Sequence, residues 1–210
     1  MFDAYNTDFH VLHASSSVSE SGKVVLFGDD GIFSVGKTFC SLLLAAQSGI
    51  YVSDEYCLLD KYTLGIYGNG DIPLNLKGDT ASYIMESFQL KLKDSKVIYA
   101  NDYFKIVPSS KINYVVIPYM CSEKSSIEPV SDTDQKASIA KGIVYGHNVK
   151  FLQPEFDRVS ILRNEQGSLE SNMSTLLNAY PVPNFPFDIV RMYVKNPDDI
   201  LPMIKEIEHV

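Results

Sequence analysis

Lys23-Val24-Val25-Leu26-Phe27-Gly28-Asp29-Asp30-Gly31-Ile32-Phe33-Ser34-Val35-Gly36-Lys37-Thr38 is the stretch on which the reading of the chain turns. Its first part is a short apolar run rich in β-branched residues, which predicts a buried strand. Gly31 to Thr38 then matches G-x-x-x-x-G-K-[ST], the spacing of a phosphate-binding loop. Glycines let successive backbone N–H groups turn inward around phosphate oxygens. A lysine in the place of Lys37 reaches the outer phosphates as a point charge, and a hydroxyl in the place of Thr38 ligates Mg²⁺.

The flanks supply the context that such a motif requires. Phe39 to Gln47 is apolar on most sides and predicts a helix starting at Gly36 or Lys37, with its positive end toward the phosphates. Ser48-Gly49 stops it. Ile50-Tyr51-Val52-Ser53 returns as a strand and ends on Asp54-Glu55, a pair of acids at the carboxyl edge of a sheet, where open α/β sheets bind ligands. A glycine-rich turn that binds nothing would not call for Lys and Thr after Gly36 in that order. The acids taken alone also suit the solvated start of a loop.

The chain has 210 residues, 45% hydrophobic and 21% charged, which is ordinary for a soluble globular protein and long enough for a sizeable core. A single domain over residues 1–210 is expected. The net charge of −8 argues against a nucleic-acid face. No leader and no long apolar run are read from the sequence, so neither secretion nor a membrane span is expected. Cys40, Cys57 and Cys121 are widely spaced and lack zinc spacing, which suits a reducing cytoplasm. Cys40 and Cys57 are expected to pack as small apolar groups.

Upstream, Phe9 to Ala14 alternates enough for a strand, and Ser15-Ser16-Ser17 with Ser19 to Gly22 reads as a turn region. A hairpin into the phosphate loop is expected from this pattern. Downstream, Tyr56–Asp60, Tyr62–Tyr67, Val97–Ala100, Tyr103–Val107 and Ile112–Tyr119 are strand signals, the last expected to be a central strand on its apolar run. Gly68-Asn69-Gly70-Asp71 is a turn cluster. Ala81–Leu90 has a weak helical rhythm. Cys121–Lys136 is polar and acidic and reads as a surface loop or a lid. Ala137–Tyr145 and Ser171–Ala179 are helix candidates, and Asp188–Val194 is a last strand. Asn196-Pro197-Asp198-Asp199 opens a terminal helix, Ile200 to Glu208. Strand-dense and helix-poor, the chain is predicted to be α/β with a strand-rich mixed sheet and flanking helices, not a strictly alternating βαβ array.

The order of these residues resembles a family. His13 precedes the loop strand, Gly31 to Thr38 forms the loop, a helix follows, and Tyr51-Val52-Ser53 ends on Asp54-Glu55. This is similar to the catalytic domain of HPr kinase/phosphorylase and, more loosely, to the nucleotide core of phosphoenolpyruvate carboxykinase. The likeness is dense over Leu12 to Asp60 and topological beyond it. Ser34 stands where the family has its third loop glycine, Phe33 where it has serine and Glu55 where it has a second aspartate. Asp29-Asp30 lengthens the entry to the loop and adds negative charge beside an anion site. These departures point to an acceptor other than HPr.

The resemblance implies an ATP- and Mg²⁺-dependent kinase that phosphorylates a hydroxyl of a protein serine or a small molecule. Gly31, Ile32, Phe33, Ser34, Val35, Gly36, Lys37 and Thr38 would bind nucleotide, and Thr38 and Asp54 would hold the metal. His13, Lys37, Asp54 and Glu55 would carry catalysis, with Asp54 or Glu55 as the base. Arg158 or Arg163 is a candidate to steady the transition-state charge, against the plainer role of a surface ion pair. Family members tend to be hexameric, so a homo-oligomer is implied. The alternative is a nucleotide-binding sensor or interaction module without transfer, suggested by the glycine-poor loop and Asp29-Asp30. A GTPase switch is not supported, since N-K-x-D and D-x-x-G runs are absent.

Overall fold

Val24–Phe27, the apolar run ahead of the glycine-rich loop, is a strand (β3) buried along its whole length. It is the middle strand of a seven-stranded sheet. On one side of it lie β9 (Tyr114–Met120), β11 (Ile189–Val194) and β10 (Ser126–Pro129), in that order. On the other lie β2 (Ser15–Val18), β4 (Ile50–Ser53) and β7 (Lys105–Ile106). A second, four-stranded sheet has the order β1 (Phe9–Leu12), β5 (Cys57–Asp60), β6 (Gly65–Tyr67) and β8 (Ser109–Lys111), with antiparallel neighbours throughout. The longer helices among the described residues are α1 (Lys37–Ser48), α2 over 133–146 and α3 (Ile200–Ile207). The computed structural model describes residues 8–30, 36–54, 57–71, 73–74, 82–84, 86, 99–120, 123–146, 177–178 and 180–209. Within them the chain is mixed α/β, two sheets with flanking helices.

Strand directions fix where a site can form. β3 is parallel to β9, and β9 to β11, while β2 runs antiparallel to both β3 and β4. The carboxyl ends of β3, β4, β9 and β11 therefore share one edge with the start of β2. The crossover from β3 through α1 to β4 steps over β2. Gly49 closes α1 by donating its N–H to Ala45 O at 2.7 Å, as the Ser48-Gly49 stop predicts.

β2 overturns one expectation. Ser15-Ser16-Ser17 reads as a turn, yet all of β2 is buried between β3 and β4. Each hydroxyl finds a partner from another element: Ser15 donates to Ser53 O (3.4 Å), Ser16 to Val25 O (2.9 Å), and Ser17 shares a 2.7 Å bond with Ser41 of α1. Buried hydroxyls bonded in this way carry no orphan penalty, so the strand tolerates them. The hairpin into the loop is thus β2–β3, turning at Ser19 to Gly22, while β1 pairs with β5 in the other sheet.

Other boundaries shift for local reasons. The Tyr62–Tyr67 signal shortens to β6 because Asp60 accepts from the N–H groups of Tyr62 and Thr63 and turns the chain first. Lys105–Ile106 is the strand within Tyr103–Val107, and Ala100–Asp102 forms a 3₁₀ turn. The polar Cys121–Lys136 segment is no free loop: it contributes β10, at an edge of the sheet where polar residues are tolerated, and the start of α2. Asp132 caps α2, accepting from Gln135 N at 2.7 Å. β9 is interior, flanked by β3 and β11, as its apolar run predicts. It also carries Pro118. Val115 N–H points to Asp188 O on the β11 side, so alternation aims the Pro118 nitrogen at the β3 side, beyond Gly28, where that partner has ended.

The seven-stranded sheet is covered on both faces. Val25, Phe27, Tyr51 and Val116 pack with Leu43 of α1 and Ile204 of α3. Leu26, Val52 and Val115 share the opposite core with Ile143 of α2 and with Leu59 and Ile66 of the second sheet. Cys40 and Cys57 lie fully within these cores, and burial pushes the Cys40 thiol up to about 12. They pack as small apolar groups, as expected. Cys121, the Phe156–Arg163 stretch with Arg158 and Arg163, and most of the Ser171–Ala179 helix candidate lie outside the described residues.

Candidate phosphate site at the start of α1

The site begins with a close approach. A Cβ on Gly28 would sit 2.7 Å from Ile143 Cδ1, so any larger residue after β3 would force the Ile143 side chain of α2 to shift. The same turn of α2 accepts the backbone N–H of His13 at Ile143 O, 2.9 Å away. Two elements distant in sequence are thereby pinned side by side, His13 just before β2 and Asp29 just after β3. On the far side of the loop Gly36 adopts φ 94°, a left-handed conformation that glycine takes without strain, and α1 starts at Lys37. Of the predicted loop residues, Gly31, Ile32, Phe33, Ser34 and Val35 lie outside the described residues, as does Glu55.

Asp29 is the hub. Its Oδ2 accepts from Lys37 Nζ at 2.5 Å and faces His13 Nδ1 at 3.0 Å. The side chains of Asp29 and Lys37 are 3% and 6% exposed. Burial by itself would raise the Asp29 carboxyl. The hydrogen bond from His13, the charges of Lys37 and His13, and the Lys37 bond outweigh it and hold the group well below the usual carboxylate range. Asp29 is therefore an anion with a cation and an imidazole on one oxygen. Its neighbour Asp30 faces elsewhere and accepts from Tyr119 Oη of β9 at 2.6 Å. Burial, and then Asp30 itself, push the Tyr119 hydroxyl upward.

Thr38 takes the other direction. Its hydroxyl lies 3.0 and 3.2 Å from the two oxygens of Asp54, the residue after β4. Asp54 is buried. Below it a group of hydroxyls lines the α1 side of the sheet. Burial raises the Tyr51 hydroxyl well above its ordinary value, the Asp54 charge adds to this, and Ser15 and Ser41 oppose it.

The structure thus brings together His13, Lys37, Thr38 and Asp54, with Gly36 as the hinge into the helix. No positive role is legible in the sequence for Asp29, which joins two of them. Its only signal was an acidic doublet placed where an anion site should repel it. Among the described residues no group of three or more His, Cys, Asp or Glu side chains stands ready to hold a metal. One hydroxyl with one carboxylate still fits Mg²⁺, which keeps several waters and takes phosphate oxygens as its remaining ligands.

Compared with protein-family models, curated proteins and solved structures, the chain matches none. Among the described residues no helix is long and apolar enough to cross a membrane.

Proposed function

We propose that the chain is a nucleotide-binding phosphotransferase with a phosphate-loop domain of the HPr kinase/phosphorylase type. ATP would be the donor, and a hydroxyl of a protein serine or a small molecule the acceptor. One observation carries the reading. Successive residues at the first turn of α1, Lys37 and Thr38, each meet a buried carboxylate that follows a strand of the same sheet edge. A cation beside a hydroxyl–carboxylate pair at a helix N-terminus suits a metal-bound polyphosphate.

In this reading Lys37 neutralises charge on the outer phosphates, since phosphoryl transfer rests mainly on positioning and charge compensation. Thr38 and Asp54 would hold Mg²⁺, which when bound screens the phosphate oxygens. His13, fixed through Nδ1 by Asp29, stands on the same edge as a second positioned donor. Asp54 or its neighbour Glu55 would accept the proton of the attacking hydroxyl.

Calorimetry with Mg·ATP tests this. Saturable binding that Lys37→Ala weakens by about tenfold or more, about 1.4 kcal/mol, is the expected result. Transfer of labelled phosphate to a hydroxyl acceptor that Asp54→Asn abolishes would complete it. The absence of any nucleotide binding would sink the proposal. A second reading is favoured by the Lys37–Asp29 bond, which already engages the loop cation: a nucleotide-binding sensor without transfer. It predicts tight binding with no turnover, indifferent to Asp54→Asn.

A further inference from the structure

The acidic doublet before the loop is the feature that the phosphate-site reading leaves unused. Asp29 stands within hydrogen-bond reach of Lys37, in a place where its charge opposes any incoming phosphate. A carboxylate so placed must be bonded on every side that water has left. Oδ2 meets that need through two partners that are remote from each other in sequence, Lys37 on α1 and His13 ahead of β2. Oδ1 lies toward the end of α2, 4.0 Å from where a Cβ on Gly146 would stand. The strand end, the helix start and α2 therefore meet on this one side chain.

We infer that Asp29 is a positioning residue of the phosphate site, one that aligns Lys37 and His13 on a single carboxylate oxygen and lowers the site's affinity for phosphate anions while doing so. The inference rests on the phosphate-site reading and deepens it. Lysine has three N–H donors, so the bond to Asp29 sets the direction of the ammonium without using all of them. The same bond keeps part of the lysine charge compensated, and the carboxylate repels phosphate across a poorly screened interior. Asp29→Asn keeps the shape and an acceptor oxygen but removes the charge. Its effect on binding should have the opposite sign to that of Lys37→Ala.

The test uses the full chain with Mg·ADP and Mg·ATP as titrants. Asp29→Asn should bind either nucleotide about fivefold or more tightly than wild type, about 1 kcal/mol, where Lys37→Ala binds more weakly. In the double variant Asp29→Asn/Lys37→Ala the gain should shrink, because the two side chains act on each other. A purely structural aspartate would not produce that coupling. A second readout needs no variant: saturating wild type with Mg·ADP should move the His13 ring ¹⁵N signals and the Asp29 carboxylate ¹³C signal together. Three outcomes separate the possibilities. Wild-type binding that Lys37→Ala weakens, with Asp29→Asn equal to or weaker than wild type, overturns the inference and leaves the phosphate site standing. Unmoved His13 and Asp29 signals at saturation overturn it in the same way, even if Asp29→Asn does not fold. No binding by wild type or by Asp29→Asn removes the phosphate site and the inference with it.

Discussion

Two carboxylates meet the first turn of α1, and the chain treats them differently. Asp29, at the end of β3, takes a buried cation and an imidazole on one oxygen. Asp54, at the end of β4, takes a neutral hydroxyl across both of its oxygens. The side chains that reach them, Lys37 and Thr38, are neighbours in sequence. One helix start therefore presents an ammonium to one carboxylate and a hydroxyl to another within a single turn. The Asp29 side is built to hold direction, because each partner fixes the other. The Asp54 side meets the same helix start through a neutral donor instead.

The sharpest way to break the contrast is to remove the cation. Lys37→Ala takes the lysine partner from Asp29 in a site that water scarcely reaches. Taking one partner from a buried charge pair costs about 3–5 kcal/mol, and urea unfolding should show a loss of that order. Acid should single out the same side. The Asp29 carboxyl is held below its ordinary value of 3.8. Its contribution to stability is then fully present above that value and is lost as the pH falls through and beyond it. In Asp29→Asn the stability curve should be flatter below about pH 4 than in wild type. An unchanged acid slope would show that the charges are not coupled as the geometry has them.

Next in size is the seal. Ile143 of α2 is fully buried, packs over Gly28 and offers its carbonyl to His13. Ile143→Ala should cost about 2–5 kcal/mol in denaturant unfolding. It should also loosen only one of the two sides. Hydrogen exchange ought to quicken at His13 and Gly28 while the amides of β4 keep their protection. Equal loosening of both would mean that the edge opens as one piece and that the two carboxylates do not belong to separable sites.

What the sequence made legible here follows from range. β3, α1 and β4 are written locally, as an apolar run, a glycine-rich break, an apolar helix and a Ser-Gly stop, and each of these acts within a few residues. Lys37, Thr38 and Asp54 were readable for the same reason, since motif spacing and strand end place them. β2 was not. Three serines in a row resemble a turn until Val25, Ser41 and Ser53 are brought to them. Asp29 was misleading for a related reason: its charge looks adverse until Lys37 and His13 are seen on it. The bond from Tyr119 to Asp30 spans 89 residues, and no local pattern announces it. β10 was hidden because a short edge strand can lie exposed on nearly every residue.

On the Asp54 side the smaller test is Thr38→Val, which keeps the shape and removes the hydroxyl. Asp54 then loses the bond that spans its two oxygens. A buried acceptor that loses its donor costs about 1–3 kcal/mol, so the loss in urea unfolding should be smaller than for Lys37→Ala. On the proposed phosphate-site reading, nucleotide binding should become less responsive to added Mg²⁺, whereas Lys37→Ala should keep that response while weakening the complex. If both variants lose Mg²⁺ dependence alike, the division between the two sides fails.

The smallest effect calibrates the rest. Lys205 of α3 and Glu20 of the β2–β3 turn form an ion pair at 3.0 Å, with side chains 55% and 51% exposed. Like Lys37 and Asp29, it joins an ammonium to a carboxylate. Water solvates both ends, salt screens them, and holding two long side chains together costs entropy. Glu20→Gln should therefore shift stability by less than about 1 kcal/mol, and the shift should vanish in high salt. The Lys37→Ala effect should persist there, because a buried pair is screened much less by salt. The distance between charges does not set the difference, since both pairs lie within salt-bridge reach. Exposure does, and a Glu20→Gln loss as large and as salt-resistant as that of Lys37→Ala would show that burial is not what gives Asp29 its hold on the start of α1.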